Sequence, residues 1–250
     1  MKVLILDIET APNKVYVWSL WKQNVALNQI DEVGYTLCWA AKWLGERKTM
    51  FSAVWTDGKK EMLKKIYDLL SEADVVIHYN GTSFDIPILN QEFASEGWWP
   101  PAPFQQVDMY RVARGQFRLV SNKMDYVLKF CGLEGKVQHK GMPLWTGCMD
   151  GNAADQRTMR RYNEGDVTKL EGIYLFLKPW IKNHPNYGLY DDKGVFQCPN
   201  CGSTKLRKKG LRYTNVLTYQ RWRCNDCGSW SQERYSNLDK EKRKNVLRGI

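Results

Sequence analysis

The chain has 250 residues and a formal net charge of +10, from 37 lysines and arginines against 27 aspartates and glutamates. Apolar residues make up 43% of it, which excludes disorder of the whole chain. A mean hydropathy of −0.53 and the lack of a long apolar run exclude a transmembrane helix. The sequence shows no signal peptide, so we expect an intracellular, cytoplasmic protein.

The first 180 residues read as strands mixed with helices. Runs of β-branched and aromatic residues predict strands at 3–9, 35–44, 48–55 and 74–79, with a hairpin turn at 45–47. Helices are predicted at 59–71, 85–96, 122–131 and 154–178, and the prolines of residues 98–103 predict a loop. This order predicts an α/β fold, with helices covering the faces of a sheet.

The excess positive charge belongs to the last part of the chain. Residues 1–180 carry 22 basic and 21 acidic side chains, whereas residues 181–250 carry 15 basic and 6 acidic ones. Because HPNYG at 184–188 marks the exit from the last helix, we expect a first domain over 1–182 and a linker over 183–195. A basic module indicates a polyanionic partner, although a basic tail can also serve solubility alone.

Two acids lie on the first predicted strand. Asp7 and Glu9 are two residues apart, so their side chains leave the same face of the strand. Neighbouring carboxylates on a buried strand repel each other and are costly to desolvate. A hard divalent cation such as Mg²⁺ or Mn²⁺ would offset both effects. For this pair alone, the alternative is a solvent-exposed sheet edge.

Two further acids occur at the ends of later elements. Asp85, in YNGTSFDIPIL, follows a strand and a Gly-containing loop, and it could instead be a helix N-cap. Tyr162 and Asp166, in YNEGDV, are four residues apart and share one helix face, which could also be an ordinary solvated face. Gly165 in mid-helix costs about 1 kcal/mol relative to alanine, which is explicable if another backbone or a substrate passes close by.

Together, LDIET, YNGTSFDIPIL and YNEGDV resemble, in order and spacing over roughly residues 1–180, the DEDD exonucleases of the ribonuclease-H-like fold. The Y-x-x-x-D form of the third motif resembles the DEDDy branch, and the match is similar to the proofreading domains of family B DNA polymerases. The resemblance implies a ribonuclease-H-like mixed sheet flanked by helices. It also implies a 3′–5′ exonuclease that hydrolyses the 3′-terminal phosphodiesters of DNA with two metal ions.

The resemblance also implies roles for individual residues. Asp7, Glu9 and Asp166 would hold the first Mg²⁺ or Mn²⁺, Asp7 would bridge to the second ion, and Asp85 would support it directly or through water. Tyr162 would orient the attacking water. Contacts to the terminal nucleotides are expected from Ile8, Thr10, Asn80 and Phe84. The remaining residues cannot accommodate the palm and fingers of a polymerase, so any link to replication requires a partner.

Four of the seven cysteines form two C-x-x-C-G pairs, Cys198 with Cys201 and Cys224 with Cys227. Twenty-two residues separate the pairs, close to the spacing of known zinc sites. Four thiolates suit one structural Zn²⁺ and leave no open catalytic position. We therefore predict a zinc ribbon over 196–235 and a basic tail over 236–250. A redox dithiol and an iron–sulfur cluster are the alternatives.

Basic and aromatic side chains are interleaved within the predicted ribbon. They are Lys205, Arg207, Lys208, Lys209, Arg212, Arg221 and Arg223, with Tyr213, Tyr219, Trp222 and Trp230. This composition suits nucleic acid, and docking to a polymerase or helicase is the alternative. For the whole chain, two alternatives to an exonuclease remain: a non-catalytic nucleic-acid-binding or replication scaffold protein, and a ribonuclease or endonuclease that uses the same site.

Overall fold

A computed structural model describes residues 1–191 and 194–249. The chain divides into two compact units, Lys2–Leu175 and Phe176–Ile250, and each is described separately. The predicted linker includes residues 192 and 193 and the predicted tail includes residue 250, all outside the described ranges, so these domain limits stay predictions. Among the described helices, none is both long and apolar enough to cross a bilayer.

The first unit is built on a mixed sheet of five strands. In chain order the strands of this unit are β1 (Val3–Thr10), β2 (Lys14–Val15), β3 (Ile30–Glu32), β4 (Thr36–Trp43), β5 (Met50–Ala53), β6 (Val75–His78) and β7 (Gln105–Asp108). The five-stranded sheet has the order β5-β4-β1-β6-β7, and β2 and β3 form a separate small hairpin. β1 runs antiparallel to β4 and parallel to β6, so the carboxyl ends of β1 and β6 meet at one edge.

Helices cover both faces of this sheet. They are α1 (Val54–Asp57), α2 (Lys59–Glu72), α3 (Asp85–Ser95), α4 (Met109–Gln116), α5 (Met124–Phe130), α6 (Met142–Met149) and α7 (Ala153–Leu177). Leu4, Leu6 and Ile8 of β1 point into one apolar cluster with residues of α2 and α3. The other face packs Leu144 of α6 and Met159 of α7 in a second cluster. Because strand side chains alternate, the odd-numbered residues of β1 face α7.

The predicted strands and helices of this unit all occur, with ends shifted by a few residues, and the predicted loop at 98–103 contains no helix or strand. The structure adds elements that the sequence pattern did not predict: the β2–β3 hairpin, α1, β7, α4 and α6. The strand predicted at 48–55 ends at Ala53, because α1 begins at Val54. α4 begins because the Asp108 side chain accepts hydrogen bonds from the backbone N–H groups of Tyr110, at 3.0 Å, and Arg111.

The second unit contains a three-stranded antiparallel sheet. Its strands are β8 (Leu206–Tyr213), β9 (Thr218–Cys224) and β10 (Trp230–Gln232), in the order β10-β9-β8, and a short helix α8 (Lys240–Lys244) follows. Each pair of cysteines lies in a tight turn next to this sheet. The mixed sheet flanked by helices and the small cysteine-bearing sheet together agree with the predicted fold class.

Candidate active site

The four predicted acids converge at the carboxyl end of β1. Oxygen atoms of Asp7, Glu9 and Asp166 all lie within 4.8 Å of one another, although Asp166 comes from α7. Asp85, the first residue of α3, joins them because its Oδ1 accepts the backbone N–H of Ile8 at 3.1 Å. The parallel pairing of β1 with β6 produces this meeting, since it places the loop that ends at Asp85 beside the end of β1.

The cluster carries more negative charge than its surroundings neutralise. Burial, and then repulsion by Glu9, Asp85 and Asp166, raises the pKa of Asp7 well above its ordinary value. Burial raises the pKa of Glu9 to about 8 even though a nearby lysine opposes the shift. Burial also raises the pKa of Asp85 to about 7, against the effect of the Ile8 N–H. Within the described residues, Asp166 Oδ1 is buried and has no hydrogen-bond partner. Such a set of oxygens fits a divalent cation.

Lys136, which the sequence analysis did not identify, places a positive charge in this cluster. Its Nζ donates to Asp166 Oδ2 at 2.5 Å and to the hydroxyl of Tyr162 at 3.2 Å. Burial would lower the pKa of Lys136, but the Asp166 carboxylate outweighs burial and holds that pKa above its ordinary value. Lys136 lies between α5 and α6, thirty residues before Asp166. No local pattern connects it with the acids.

Two further residues lie beside the carboxylates. The side chain of Asn163, which is fully buried, donates from Nδ2 to Asp7 Oδ2 at 2.7 Å. The side chain of Trp145 lies close enough to Glu9 to lower the pKa of that carboxyl, against the larger effect of burial. Asn163 is three residues before Asp166 and therefore shares its helix face, so helical spacing could have identified it. Trp145 belongs to α6, which the sequence pattern did not predict.

Comparison with known proteins identifies the fold family of this unit. The RNase H superfamily model matches residues 4–177 of the chain. The chain belongs to the RNase H superfamily. A family B DNA polymerase from the hyperthermophilic archaeon Pyrobaculum calidifontis superposes with a TM-score of 0.54 at 18% identity, over 71% of this chain and 24% of the polymerase chain. At this identity the similarity concerns the fold alone. A search of curated protein sequences finds no match to this chain.

The aromatic ring of Tyr162 is fixed at the edge of the RNase H carboxylate cluster. It makes edge-on contacts with His139, at 4.9 Å between ring centroids, and with Trp145, at 6.3 Å. Burial, and then the charge of Asp166, raises the pKa of Tyr162. The phenol therefore keeps its proton at neutral pH and is available as a hydrogen-bond donor.

The four residues expected to contact nucleotides differ in orientation and in solvent exposure. The side chain of Ile8 points to the other face of β1 and packs in the apolar core, so it does not line the carboxylate cluster. Thr10 is half-buried next to a β-bulge. Asn80 is exposed, and Phe84 is 43% exposed immediately before Asp85. Ile8 reaches the acids through its backbone N–H only.

The loop that carries Asn80 and Asp85 has a backbone that only certain residues allow. Asn80 has a φ of +65°, and its N–H donates to Asp108 Oδ1 at 2.9 Å. A Cβ on Gly81 would lie 2.4 Å from Cγ of His78, so glycine is required there. Gly165 differs, because the nearest contact of an added Cβ is a side-chain atom of Val137 at 3.7 Å. The close backbone expected at Gly165 is not found in the described residues.

The second unit brings its four cysteines together. The Sγ atoms of Cys198, Cys201, Cys224 and Cys227 all lie within 4.8 Å of one another, and none of these cysteines is in a disulfide. The Cys198–Cys227 sulfur distance is 3.5 Å and the Cys201–Cys224 distance is 3.6 Å. Tetrahedral zinc with Zn–S bonds of about 2.3 Å would separate its sulfurs by about 3.8 Å. This arrangement fits a small zinc ribbon.

The two cysteine turns have the same backbone hydrogen bonds. In the first turn, the N–H of Gly202 donates to the carbonyl of Cys198 at 2.8 Å, and in the second that of Gly228 donates to the carbonyl of Cys224 at 3.1 Å. Both glycines have φ values between +70° and +80°, namely +73° and +76°. The glycine after each C-x-x-C pair is therefore explained by a left-handed backbone.

Proposed function

We propose that the chain is a metal-dependent 3′–5′ exonuclease of the DEDDy type, which removes nucleotides from the 3′ end of DNA. The observation that carries this proposal is the convergence of Asp7, Glu9, Asp85 and Asp166 from three distant segments around an Asp166 oxygen that is buried without a hydrogen-bond partner in the described chain. Four acids in such a small volume are difficult to explain by stability alone, because their mutual repulsion opposes folding.

The acid cluster would hold two Mg²⁺ or Mn²⁺ ions. Asp7, Glu9 and Asp166 would be ligands of the first ion, with Asp7 bridging to the second and Asp85 supporting that ion directly or through water. When bound, such ions stabilise charge on the attacking and leaving oxygens of a phosphodiester and lower the pKa of bound water. Asn163 supports the proposal because its hydrogen bond fixes the orientation of Asp7 before any ligand binds.

Tyr162 is proposed to orient the attacking water. Lys136 donates to the hydroxyl oxygen of Tyr162, so the phenolic hydrogen remains free to donate to a water in the pocket. The raised pKa of Tyr162 argues for a donor rather than a general base. Lys136 is proposed as a positioning residue, which holds this hydroxyl and the Asp166 carboxylate together.

Contacts with the terminal nucleotides are proposed for Thr10, Asn80 and Phe84. Phe84 supports this role because nearly half of its side chain is exposed directly beside Asp85, where a base could stack on the ring. Asn80 is exposed on the same loop. The side chain of Ile8 does not contribute to these contacts, because it is buried in the core.

We propose that the ribbon binds one structural Zn²⁺ and contacts nucleic acid through its sheet. Arg207 of β8 pairs with Arg223 of β9, which pairs with Trp230 of β10, so the three form a row across one face. Arginines directly opposite each other repel, and a bound phosphate would relieve that repulsion. The guanidinium groups of Arg221 and Arg223 lie over the Trp230 ring, at 4.9 and 5.7 Å from its centroid. A polymerase or helicase partner stays a prediction.

The decisive experiment is digestion of single-stranded and duplex DNA and RNA, labelled at the 5′ or the 3′ end, with Mg²⁺ or Mn²⁺. We expect the 3′ label to be released as a mononucleotide and the 5′-labelled strand to shorten stepwise. Asp7→Ala should abolish both. Internal cuts would instead indicate an endonuclease, and a preference for RNA would indicate a ribonuclease. Binding without cleavage by pure wild-type protein would favour the scaffold alternative and refute the enzyme.

A further inference from the structure

A loop between β2 and β3 exposes large aromatic side chains to an unusual degree. In this segment, residues 16–29, called the tryptophan loop below, Trp18 is 98% exposed, Trp21 is 82% exposed and Tyr16 is 72% exposed. Large apolar groups placed together in water indicate a surface that binds something. Neither the carboxylate cluster nor the ribbon includes this segment.

The stem that carries the tryptophan loop begins two residues after Glu9. It leaves β1 at Ala11 and returns at Tyr35, whose carbonyl accepts the Ala11 N–H at 2.8 Å. A Cβ on Gly34 would lie 2.5 Å from the Ala11 carbonyl oxygen, so glycine permits this close approach. The seven residues from Glu9 to Tyr16 span at most about 25 Å. The stem therefore starts at the carboxyl end of β1, where the acids lie, and the loop begins within about 25 Å of Glu9.

The backbone of the tryptophan loop is ordered by its own hydrogen bonds. The N–H of Tyr16 donates to the Gln29 carbonyl at 2.9 Å, and Gln29 Nε2 donates to the Tyr16 carbonyl at 3.0 Å. Lys22, directly after Trp21, turns the chain with a φ of +53°. The rings therefore extend into solvent from an ordered backbone. This order lowers the conformational entropy that the loop loses when a ligand binds.

The exposure of the tryptophan rings favours nucleic acid, and no acidic residue within the loop opposes it. Lys22 is the one charged residue in the sequence of the tryptophan loop, whereas Lys14 of the stem pairs with Glu32 at 2.7 Å. A tryptophan that is 98% exposed has both faces of its ring open, which allows a flat base to stack on it. Stacking on a ring does not depend on base identity, so the loop would accept any sequence.

We propose that the tryptophan loop is a stacking surface for unpaired bases of the polynucleotide whose 3′ end occupies the active site. The proposal rests on the proposed function for the position of that end. Trp18 and Trp21 would hold nucleotides upstream of the one being removed, and Lys22 would contact a phosphate between them. A strand too short to extend from the acids to the loop would gain nothing from it.

The test measures binding of fluorescent single-stranded oligonucleotides to the full chain, on an Asp7→Ala background that keeps the strand intact. We expect Trp18→Ala with Trp21→Ala to weaken binding of a strand of about 12 nucleotides by about tenfold or more, because one stacked base contributes about 1–3 kcal/mol. The loss for a trinucleotide should be much smaller. Trp18→Phe with Trp21→Phe should retain most of the affinity. Trp99→Ala, which changes another tryptophan that is 85% exposed, is the matched control and should have no effect.

Unchanged affinity for the longer strand would overturn the proposal, and so would an equal loss in the alanine and phenylalanine pairs. Wild-type self-association that disappears in the alanine pair, with unchanged nucleic-acid affinity, would assign the loop to a second copy of the chain and also overturn it. The cleavage assay distinguishes failure of the proposed function from failure of this proposal. If the alanine pair loses affinity for the longer strand only, and the wild-type protein cleaves nothing, the exonuclease proposal is contradicted and the stacking surface is supported.

Discussion

The carboxylate cluster contains one lysine against four acids. Lys136 reaches Asp166 at 2.5 Å and is 27% exposed in its side chain, whereas Asp166 is almost fully buried. Burial raises the pKa values of Asp7, Glu9 and Asp85, and the single ammonium of Lys136 does not offset this effect for Asp7 and Glu9. At the scale of single residues, Lys136 supplies positive charge beside Asp166, and we expect it to offset part of the repulsion that bound metal ions would otherwise offset.

Lys136→Met should therefore destabilise the RNase H unit mainly in the absence of divalent ions. Removing the ammonium leaves Asp166 Oδ2 buried without its donor, which costs about 1–3 kcal/mol of unfolding free energy. Adding Mn²⁺ should recover more stability in the variant than in the wild type. Urea unfolding with and without Mn²⁺ measures both effects.

The control is Lys129→Met, which breaks an exposed pair with Asp125 at 3.0 Å and should change the unfolding free energy by less than about 1 kcal/mol. Equal stability of wild type and Lys136→Met in buffer without divalent ions would contradict the role given to this lysine.

At the scale of elements, the two cysteine turns determine how the ribbon folds. Each turn repeats the same glycine conformation and backbone hydrogen bond, but the three strands alone provide few buried side chains. A sheet this small cannot form a useful apolar core, so we expect a metal bound by the four cysteines to supply most of its folding free energy.

Cys224→Ser is expected to unfold residues 196–235 and to release one zinc equivalent. Metal analysis of the purified protein and backbone amide NMR spectra measure these two changes. Because the RNase H unit has its own core, its thermal transition should stay within a few degrees of the wild type. Affinity for DNA should fall, since the basic row of β8 and β9 loses its shape.

Cys131→Ser, at a cysteine outside the ribbon, is the matched control and should keep the zinc. A variant Cys224→Ser that retains zinc and a dispersed ribbon spectrum would show that the four thiolates are not the metal site.

Sequence and structure agree at this scale where the signal is local. The strand with Asp7 and Glu9, the long helix with Tyr162 and the two C-x-x-C-G turns depend on periodicity or on fixed spacing. β7 and α4 were missed because Gln105–Asp108 is four residues long and half exposed, and α4 begins at a side-chain cap rather than an apolar repeat. β7 is specified by its pairing with β6, whereas the Asp108 cap of α4 is a local signal.

At the scale of the whole molecule, the net charge of +10 divides unequally along the chain. The RNase H unit is nearly neutral and concentrates acids at its candidate site, whereas the basic excess lies in the part that includes the ribbon. A polyanion held by the basic part would show a strong dependence of affinity on salt, because each phosphate contact releases counterions.

Replacing Arg207 and Arg223 by Gln should weaken DNA binding at low salt. It should also reduce the slope of log affinity against log salt by about 0.7 to 0.9 for each lost phosphate contact. Fluorescence anisotropy at several salt concentrations measures the slope. The control pair, Lys60→Gln with Lys64→Gln, removes the same amount of charge from α2 in the RNase H unit. It should leave the slope nearly unchanged. Equal effects of the two pairs would mean that total charge, and not the ribbon, determines binding.

The sequence by itself determined the fold class, the acid set and the cysteine set, because strand alternation, helix periodicity and motif spacing are properties of neighbouring residues. Helix spacing could have placed Asn163 beside Asp166, and strand alternation could have turned Ile8 into the core. Only the tertiary structure placed Lys136 against the acids and left Trp18 and Trp21 exposed in the loop that follows β1. These features depend on which distant segments pack together and on which side chains burial leaves in water. Local pattern contains no information about either.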